Sequence, residues 1–175
     1  MADNSKTQEL LKQHHDECFR WALYCSSGDK FAAEDLIQTV YLKVLEGKAT
    51  YNENSETSFR TWIFSVIKFT GLDHYKAEKK YVFTENAVDV ETDVQADTEE
   101  ENAENSEREM LIKKLLSKLS PKQNEVLRLV FYHNMTIEEA AGIMNVTIGT
   151  ARTHYERGKS NLRQLIDEPG MKLYT

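Results

Sequence analysis

The sequence carries only two prolines and seven glycines in 175 residues, so little in it interrupts helices. It has no apolar run approaching the roughly 18–20 residues needed to span a bilayer. Its first dozen residues are polar and lack the apolar core of a secretion signal. We therefore expect no membrane insertion and a cytoplasmic location. Cysteine is scarce too. Cys18 and Cys25 lie seven apart in a helical pattern, where their Cα atoms would stand roughly 10 Å apart, too far for a disulfide. His14, His15 and Cys18 invite a metal reading, but no second Cys/His pair follows at finger-like spacing. One buried thiol and solvent-facing histidines are expected instead. A Gly-rich phosphate loop and a nucleophile motif are also missing, so neither enzymatic activity nor a cofactor is expected.

A basic excess is lacking as well: the formal net charge is −7. Its distribution matters more than its sum. Residues 85–109 hold eleven acidic side chains and one basic, Arg108, which leaves the rest of the chain at +3. Residues 110–165 hold nine Lys/Arg and four Glu, a net of +5. Two near-neutral to basic blocks thus flank an acidic connector, and the global charge hides a candidate nucleic-acid surface.

The blocks read as helices. Residues 8–25 place Leu10, Leu11, His14, Cys18, Trp21, Ala22 and Cys25 on one face. After the turn cluster Ser26-Ser27-Gly28-Asp29, residues 31–45 repeat apolar positions at Ala33, Leu36, Ile37, Val40, Tyr41, Val44 and Leu45. Residues 47–57 are polar and irregular. A third helix is expected over 58–81, with Trp62, Ile63, Val66, Ile67, Phe69, Leu72 and Tyr75 facing inward and Arg60, Lys68, Lys76, Lys79 and Lys80 as its basic residues. The connector has no sustained apolar period, and its last third passes into a helix over 105–118.

The C-terminal block is punctuated. Ser120-Pro121-Lys122-Gln123 predicts a capping box with proline at the first helical position, opening a helix that carries Val126, Leu127, Leu129, Val130 and Phe131. Thr136-Ile137-Glu138-Glu139 predicts a second box and a short helix through Ala140, Ala141, Ile143 and Met144. Asn145 stands where a tight turn needs a left-handed residue, and Thr147 caps a last helix to about residue 166. Ala151, Tyr155, Gly158, Leu162 and Leu165 recur at inward spacing. The pattern predicts an all-α fold: two small helical domains, 8–82 and 110–168, joined by an acidic flexible linker, 83–109.

A short helix, a tight turn and a longer helix with a basic outer face form a helix-turn-helix signature. With Ala151 and Tyr155 inward, Gly149, Arg152, Thr153, Glu156 and Arg157 point outward. Arginine can read guanine bidentately, glutamate can accept from cytosine, and Thr147, Thr150 and the free amides of a helix start suit phosphates. The plain alternative is a helical hairpin with a solvated charged face.

Three stretches also resemble the extracytoplasmic-function (ECF) group of bacterial RNA polymerase sigma factors, within the sigma-70 family. Ala33-Glu34-Asp35-Leu36-Ile37-Gln38-Thr39-Val40-Tyr41-Leu42 is similar to the polymerase-binding helix of the sigma-2 domain. Ser58-Phe59-Arg60-Thr61-Trp62-Ile63-Phe64, running into Leu72-Asp73-His74-Tyr75-Lys76, is similar to the helix that engages the −10 element. Leu119-Ser120-Pro121, Thr136 to Ala141 and Gly149-Thr150-Ala151-Arg152 with Arg157 are similar to the sigma-4 domain. Each motif is modest alone; all three in this order are specific. The resemblance spans residues 10–81 and 110–166.

The resemblance implies a transcription initiation factor that binds core RNA polymerase and directs it to −35 and −10 elements. Asp35, Gln38, Thr39 and Leu42 would meet the β′ coiled coil. Tyr51, Arg60, Lys68, Phe69, Lys76, Lys79 and Lys80 would serve the −10 element, with Tyr51 in the loop that captures a flipped base of the melted non-template strand. Thr147, Gly149, Thr150, Arg152, Thr153, Glu156 and Arg157 would read double-stranded −35 DNA. The connector would thread polymerase channels near the β and β′ subunits, or act as an inert tether. An anti-sigma factor is a further partner that the family implies. The chain departs from the family pattern at Phe69, where Asn is usual, at Ala151 and Gly158, where Val and Ala are usual, and in fewer arginines downstream of Phe69. Two other readings stand beside this one: a helix-turn-helix regulator with an N-terminal sensor, and a polymerase-binding adaptor that has lost −10 reading.

Overall fold

The structure is a computed structural model and describes residues 4–82 and 103–168, with side chains over 5–78 and 107–168. It divides into two compact units. All regular structure among the described residues is helical.

The first unit holds α1 (Asn4–Gln13), α2 (His15–Cys25), α3 (Lys30–Leu45) and α4 (Phe59–Val82). The expected helix over 8–25 is two helices, broken at His14, whose backbone sits at φ −102°, ψ 8°. Hydrogen bonds from His14 N–H to the Leu10 carbonyl and from Cys18 N–H to the His14 carbonyl run across the break. Leu11, Cys18, Trp21 and Ala22 therefore stay in phase and buried, which is why periodicity could not register it. Ser27 and Gly28 turn the chain through positive φ of 54° and 81°. Asp29 then caps α3 by accepting the Ala32 N–H at 3.1 Å.

Trp21 is the centre of this unit. Its ring lies between Tyr24 and Phe64, at 5.1 and 5.5 Å between centroids. Its indole N–H donates to the Phe64 carbonyl at 3.0 Å, so the buried polar atom is satisfied. Leu36, Ile37 and Val40 of α3 and Ile63, Phe64 and Ile67 of α4 complete the core.

The inward face of α4 differs from expectation. The buried positions are Phe59, Thr61, Ile63, Phe64, Ile67 and Thr70, while Phe69, Leu72 and Tyr75 are exposed. For Leu72 and Tyr75 the physical reason is length: α4 has 24 residues, against 11 in α2 and 16 in α3. Near the last close approach, a side chain at Gly71 would come within 3.3 Å of Leu36 Cδ2. Leu72 and Tyr75, beyond it, extend past the bundle, whereas Phe69 lies before it and is exposed by rotation, on the face opposite buried Ile67 and Thr70.

The second unit holds α5 (Ala103–Ser117), α6 (Pro121–Leu127), α7 (Ile137–Met144) and α8 (Ile148–Asp167). The helix α5 begins at Ala103, two residues before the helix expected over 105–118, so the end of the linker assigned to 83–109 is helical; residues 83–102 lie outside the described residues. Ser120 accepts the Gln123 N–H, but the reciprocal half of the expected capping box is absent from this geometry. The Gln123 side chain instead accepts from Asn161 of α8 at 3.0 Å. A π turn, Arg128–Tyr132, follows α6. Its wider winding takes the side chains within it out of the α-helical phase, and Phe131, expected with the apolar set, is 62% exposed. The box at Thr136 is complete: Glu139 N–H donates to Thr136 Oγ1 at 3.1 Å, and Thr136 N–H to Glu139 Oε2 at 2.8 Å. Asn145 takes the left-handed conformation, φ 55°, ψ 47°. Val126, Leu127, Leu129, Ile143, Met144 and Ala151 pack the core.

Candidate nucleic-acid interface

Two short-range devices aim α8. Asn145 reverses the chain after α7, and Thr147 Oγ1 accepts the Thr150 N–H at 3.1 Å, so the helix starts where the turn ends. Ala140, Ala141 and Ala151 are buried small residues that let α7 and α8 cross closely. The rotation of α8 is fixed by Ala151 and Gly158, both buried. Gly149, Arg152, Thr153, Glu156 and Arg157 are exposed, together on the opposite face. Thr147 and Thr150 are also exposed, but their hydroxyls lie 2.8 Å apart and serve the cap. Thr153 Oγ1 donates to the Gly149 carbonyl at 3.0 Å. Glu156 lies 3.4 Å from Lys159, an exposed pair that holds little energy.

The outward face of α3 continues further than the sequence motif suggested. Asp35, Gln38 and Leu42 are exposed, and Thr39 is half-buried, its hydroxyl donating to the Asp35 carbonyl at 2.9 Å. Phe31 and Leu45 are exposed on the same face, at 84% and 40%. Positions 31, 35, 38, 42 and 45 keep the 4-3 spacing of a seam that meets another helix. Phe31 stands at the helix start and drew no reading, and Leu45, expected with the inward apolar set, is exposed because it falls beside that stripe. A second 4-3 phase, offset from Leu36 and Val40, was the available signal.

In the loop before α4, the Tyr51 ring packs on Phe59 and Trp62, at 5.3 and 5.4 Å, and its hydroxyl donates to the Thr57 carbonyl at 2.8 Å. Trp62, expected inward, is half-buried on the side of Tyr51. From Trp62, one outward face of α4 runs through Ser65, Phe69, Leu72 and Lys76 at 3-4 spacing. Lys68 borders it. Arg60 lies elsewhere, 3.7 Å from Glu17 of α2. Lys79 and Lys80 belong to α4, but their side chains lie outside the described residues.

Burial raises the Cys18 thiol from 9.0 to about 12, with the Glu17 carboxylate adding to it. Burial, then Cys18 and Asp16, also push the Tyr41 hydroxyl up. His15, expected to face solvent, is exposed but bonded through Nδ1 to that hydroxyl at 2.9 Å, and His14 lies on the Phe59 ring at 5.8 Å. Among the described residues no group of three or more His, Cys, Asp or Glu is arranged to hold a metal ion. None of the described helices is long and apolar enough to cross a membrane.

A capped helix-turn-helix with a basic outer face, in a chain that also carries a separate helical unit, is the architecture of a DNA-binding protein. Models of two sigma-70 regions match the chain: region 2 over residues 10–81 and region 4 over residues 109–162. The RNA polymerase sigma factor YlaC of Bacillus subtilis is 25% identical over 165 residues, covering 94% of each chain. The ECF RNA polymerase sigma factor SigX of the same organism is 26% identical over 163 residues, covering 90% of this chain and 81% of its own. The sigma factor RpoE from Bartonella quintana, solved in complex with the anti-sigma factor NepR, shares the fold. Its TM-score is 0.72 at 22% identity, over 93% of this chain and 99% of its own. The chain belongs to the sigma-70 family, in its ECF group, and is a transcription initiation factor that directs polymerase to promoters. Sigma factors are non-catalytic initiation factors.

Proposed function

We propose that the two units divide promoter recognition between them. Residues 8–82 hold core RNA polymerase through the α3 seam, Asp35, Gln38, Thr39 and Leu42, joined by Phe31 and Leu45. They also engage the −10 element through Tyr51, Lys68, Phe69, Lys76, Lys79 and Lys80; Arg60, expected in this set, faces Glu17 of α2 on another side of α4 and is left out of it. Residues 110–168 read the −35 element through Thr147, Gly149, Thr150, Arg152, Thr153, Glu156 and Arg157. Residues 83–109 connect the two and carry acid toward channels built for nucleic acid. The observation that carries this reading is the exposed Arg152/Arg157 face of a helix whose start, turn and rotation are each fixed by a named residue.

The −10 role draws on the outward face of α4, where Phe69, Leu72 and Lys76 interleave apolar and basic groups suited to stacking and phosphate binding. Tyr51 is folded on Phe59 and Trp62, so base capture requires either its free edge or a swing out of that cluster. The protein itself performs no chemistry, needs no cofactor and acts in the cytoplasm. An anti-sigma protein is its regulatory partner, as with the solved neighbour bound to NepR. Run-off transcription with purified core polymerase is the test. Added chain gives promoter-specific starts; a helix-turn-helix regulator or an adaptor without −10 reading gives none.

A further inference from the structure

A glycine inside a 20-residue helix is conformationally costly, and Gly158 stands near the middle of α8. The packing explains it. A Cβ at Gly158 would stand 3.0 Å from Leu127 Cδ1 and 3.3 Å from both Leu127 Cγ and Gln123 Cβ. Leu127 is buried, and Gln123 sits in the first turn of α6, where Pro121 and the Ser120 cap stiffen the backbone. The next turn of α8 is tied to the same place by the bond from Asn161 to Gln123. Two close crossings therefore hold α8. One lies at Ala151, near its start and against α7; the other lies at Gly158, two turns later and against α6.

We propose that Gly158 is a positioning residue for promoter reading. It sets the distance between α6 and α8, and so the placement of Arg157, while Arg152 is placed separately by the Ala151 crossing. This rests on α8 being the DNA reader. A side chain at residue 158 pushes the later half of α8 off α6, and the helix tilts about Ala151. Displacement grows with distance from that pivot. Arg152 is the pivot's neighbour and stays; Arg157 is beside the intrusion and moves. Bidentate arginine hydrogen bonds tolerate little misplacement.

The test uses holoenzyme formed from core RNA polymerase and the full chain. Its probe is a double-stranded promoter library randomised upstream of a fixed start, read by sequencing the transcripts. Arg152→Ala and Arg157→Ala each give a profile of lost preference and yield. Gly158→Ala is expected to reproduce the Arg157→Ala profile and not that of Arg152→Ala, with roughly tenfold loss at the preferred site. Core binding and helix content should stay unchanged. Adding Leu127→Ala to Gly158→Ala removes both Leu127 contacts, leaves only Gln123 Cβ at 3.3 Å, and should return the profile toward wild type. A wild-type profile for Gly158→Ala, or equal loss of both arginine profiles, overturns the inference. If neither arginine variant changes anything, the α8 reading itself fails, and the inference with it. Should Gly158→Ala not fold, Asn161→Ala decides, because it loosens the same approach of α6 and α8 from an exposed position: loss of the Arg157 profile alone supports the role of the crossing, and a wild-type profile overturns it.

Discussion

Removing two apolar residues of the α3 seam, Phe31 and Leu42, should weaken polymerase binding without unfolding the chain. Phe31 and Leu42 are 84% and 57% exposed in the free protein. Burying such a side chain fully is worth ~1.5–3 kcal/mol, so these exposures scale to ~1.3–2.5 kcal/mol for Phe31 and ~0.9–1.7 kcal/mol for Leu42. Truncating both side chains would weaken binding by about 40-fold at the low end of those ranges. Additivity fails if one partner helix shifts to compensate. Stability should change by less than ~0.5 kcal/mol per site, since neither residue is buried in the free chain. Leu36→Ala, on the inward face of the same helix and 1% exposed, should instead cost ~2–5 kcal/mol of stability. The assay is competition between labelled wild-type chain and the Phe31→Ala/Leu42→Ala variant for purified core polymerase, with thermal unfolding of each protein alongside. Wild-type affinity in a folded double variant would refute the assignment of this seam. Asp35→Lys with Gln38→Ala extends the test to its polar centre and should weaken core binding, by ~2–5 kcal/mol if the polymerase buries a charged contact to Asp35.

Four further outcomes are expected. Tyr51→Ala should reduce open-complex formation more than core binding, by roughly 5- to 150-fold from a stacking loss of ~1–3 kcal/mol; equal permanganate reactivity of the melted promoter in both proteins contradicts it. Arg152→Ala or Arg157→Ala should cost ~1–3 kcal/mol on the preferred −35 site. An arginine that reads a base shows a smaller loss on a site changed at that base pair, and one that holds a phosphate shows uniform loss with the log–log salt slope lower by about 0.9. Cys18 is protonated in the fold up to about 12, against 9.0 for an exposed thiol. Its contribution to stability is complete below pH 9.0 and is lost as pH rises toward 12, and Tyr41 acts in the same direction, so alkaline denaturation should be shallower in Cys18→Ala relative to its own neutral-pH stability. Asn145→Gly should leave the second unit folded, while Asn145→Val should destabilise it by ~1–3 kcal/mol, because a β-branched residue resists φ 55°; equal melting midpoints count against it.

The local punctuation of this protein was legible in its sequence. Thr136 with Glu139, Asn145 and Thr147 act within three or four residues of themselves, so their hydrogen bonds and backbone angles follow from residue type and spacing alone. The inward set Ala151 and Gly158 followed from the helical period, and with it the outward group around Arg152 and Arg157. Where a pattern stayed in phase, as across His14, a break left no trace in it. What only the tertiary structure decided concerns partners distant in sequence. Periodicity marks which residues are apolar but not where the helix covering them ends, so Leu72 and Tyr75 were read as core but are exposed where α4 outruns its bundle, and Phe69 is exposed by the rotation of α4, which packing sets. Gln123 had a local partner in the capping pattern and found a distant one in Asn161. The Tyr51 ring met Phe59 and Trp62 across a loop whose path no spacing rule fixes. Gly158 read only as one small inward residue; that it stands where a methyl group would meet Leu127 at 3.0 Å is a fact of helix crossing, set by packing between α6 and α8 and by nothing nearer in the chain.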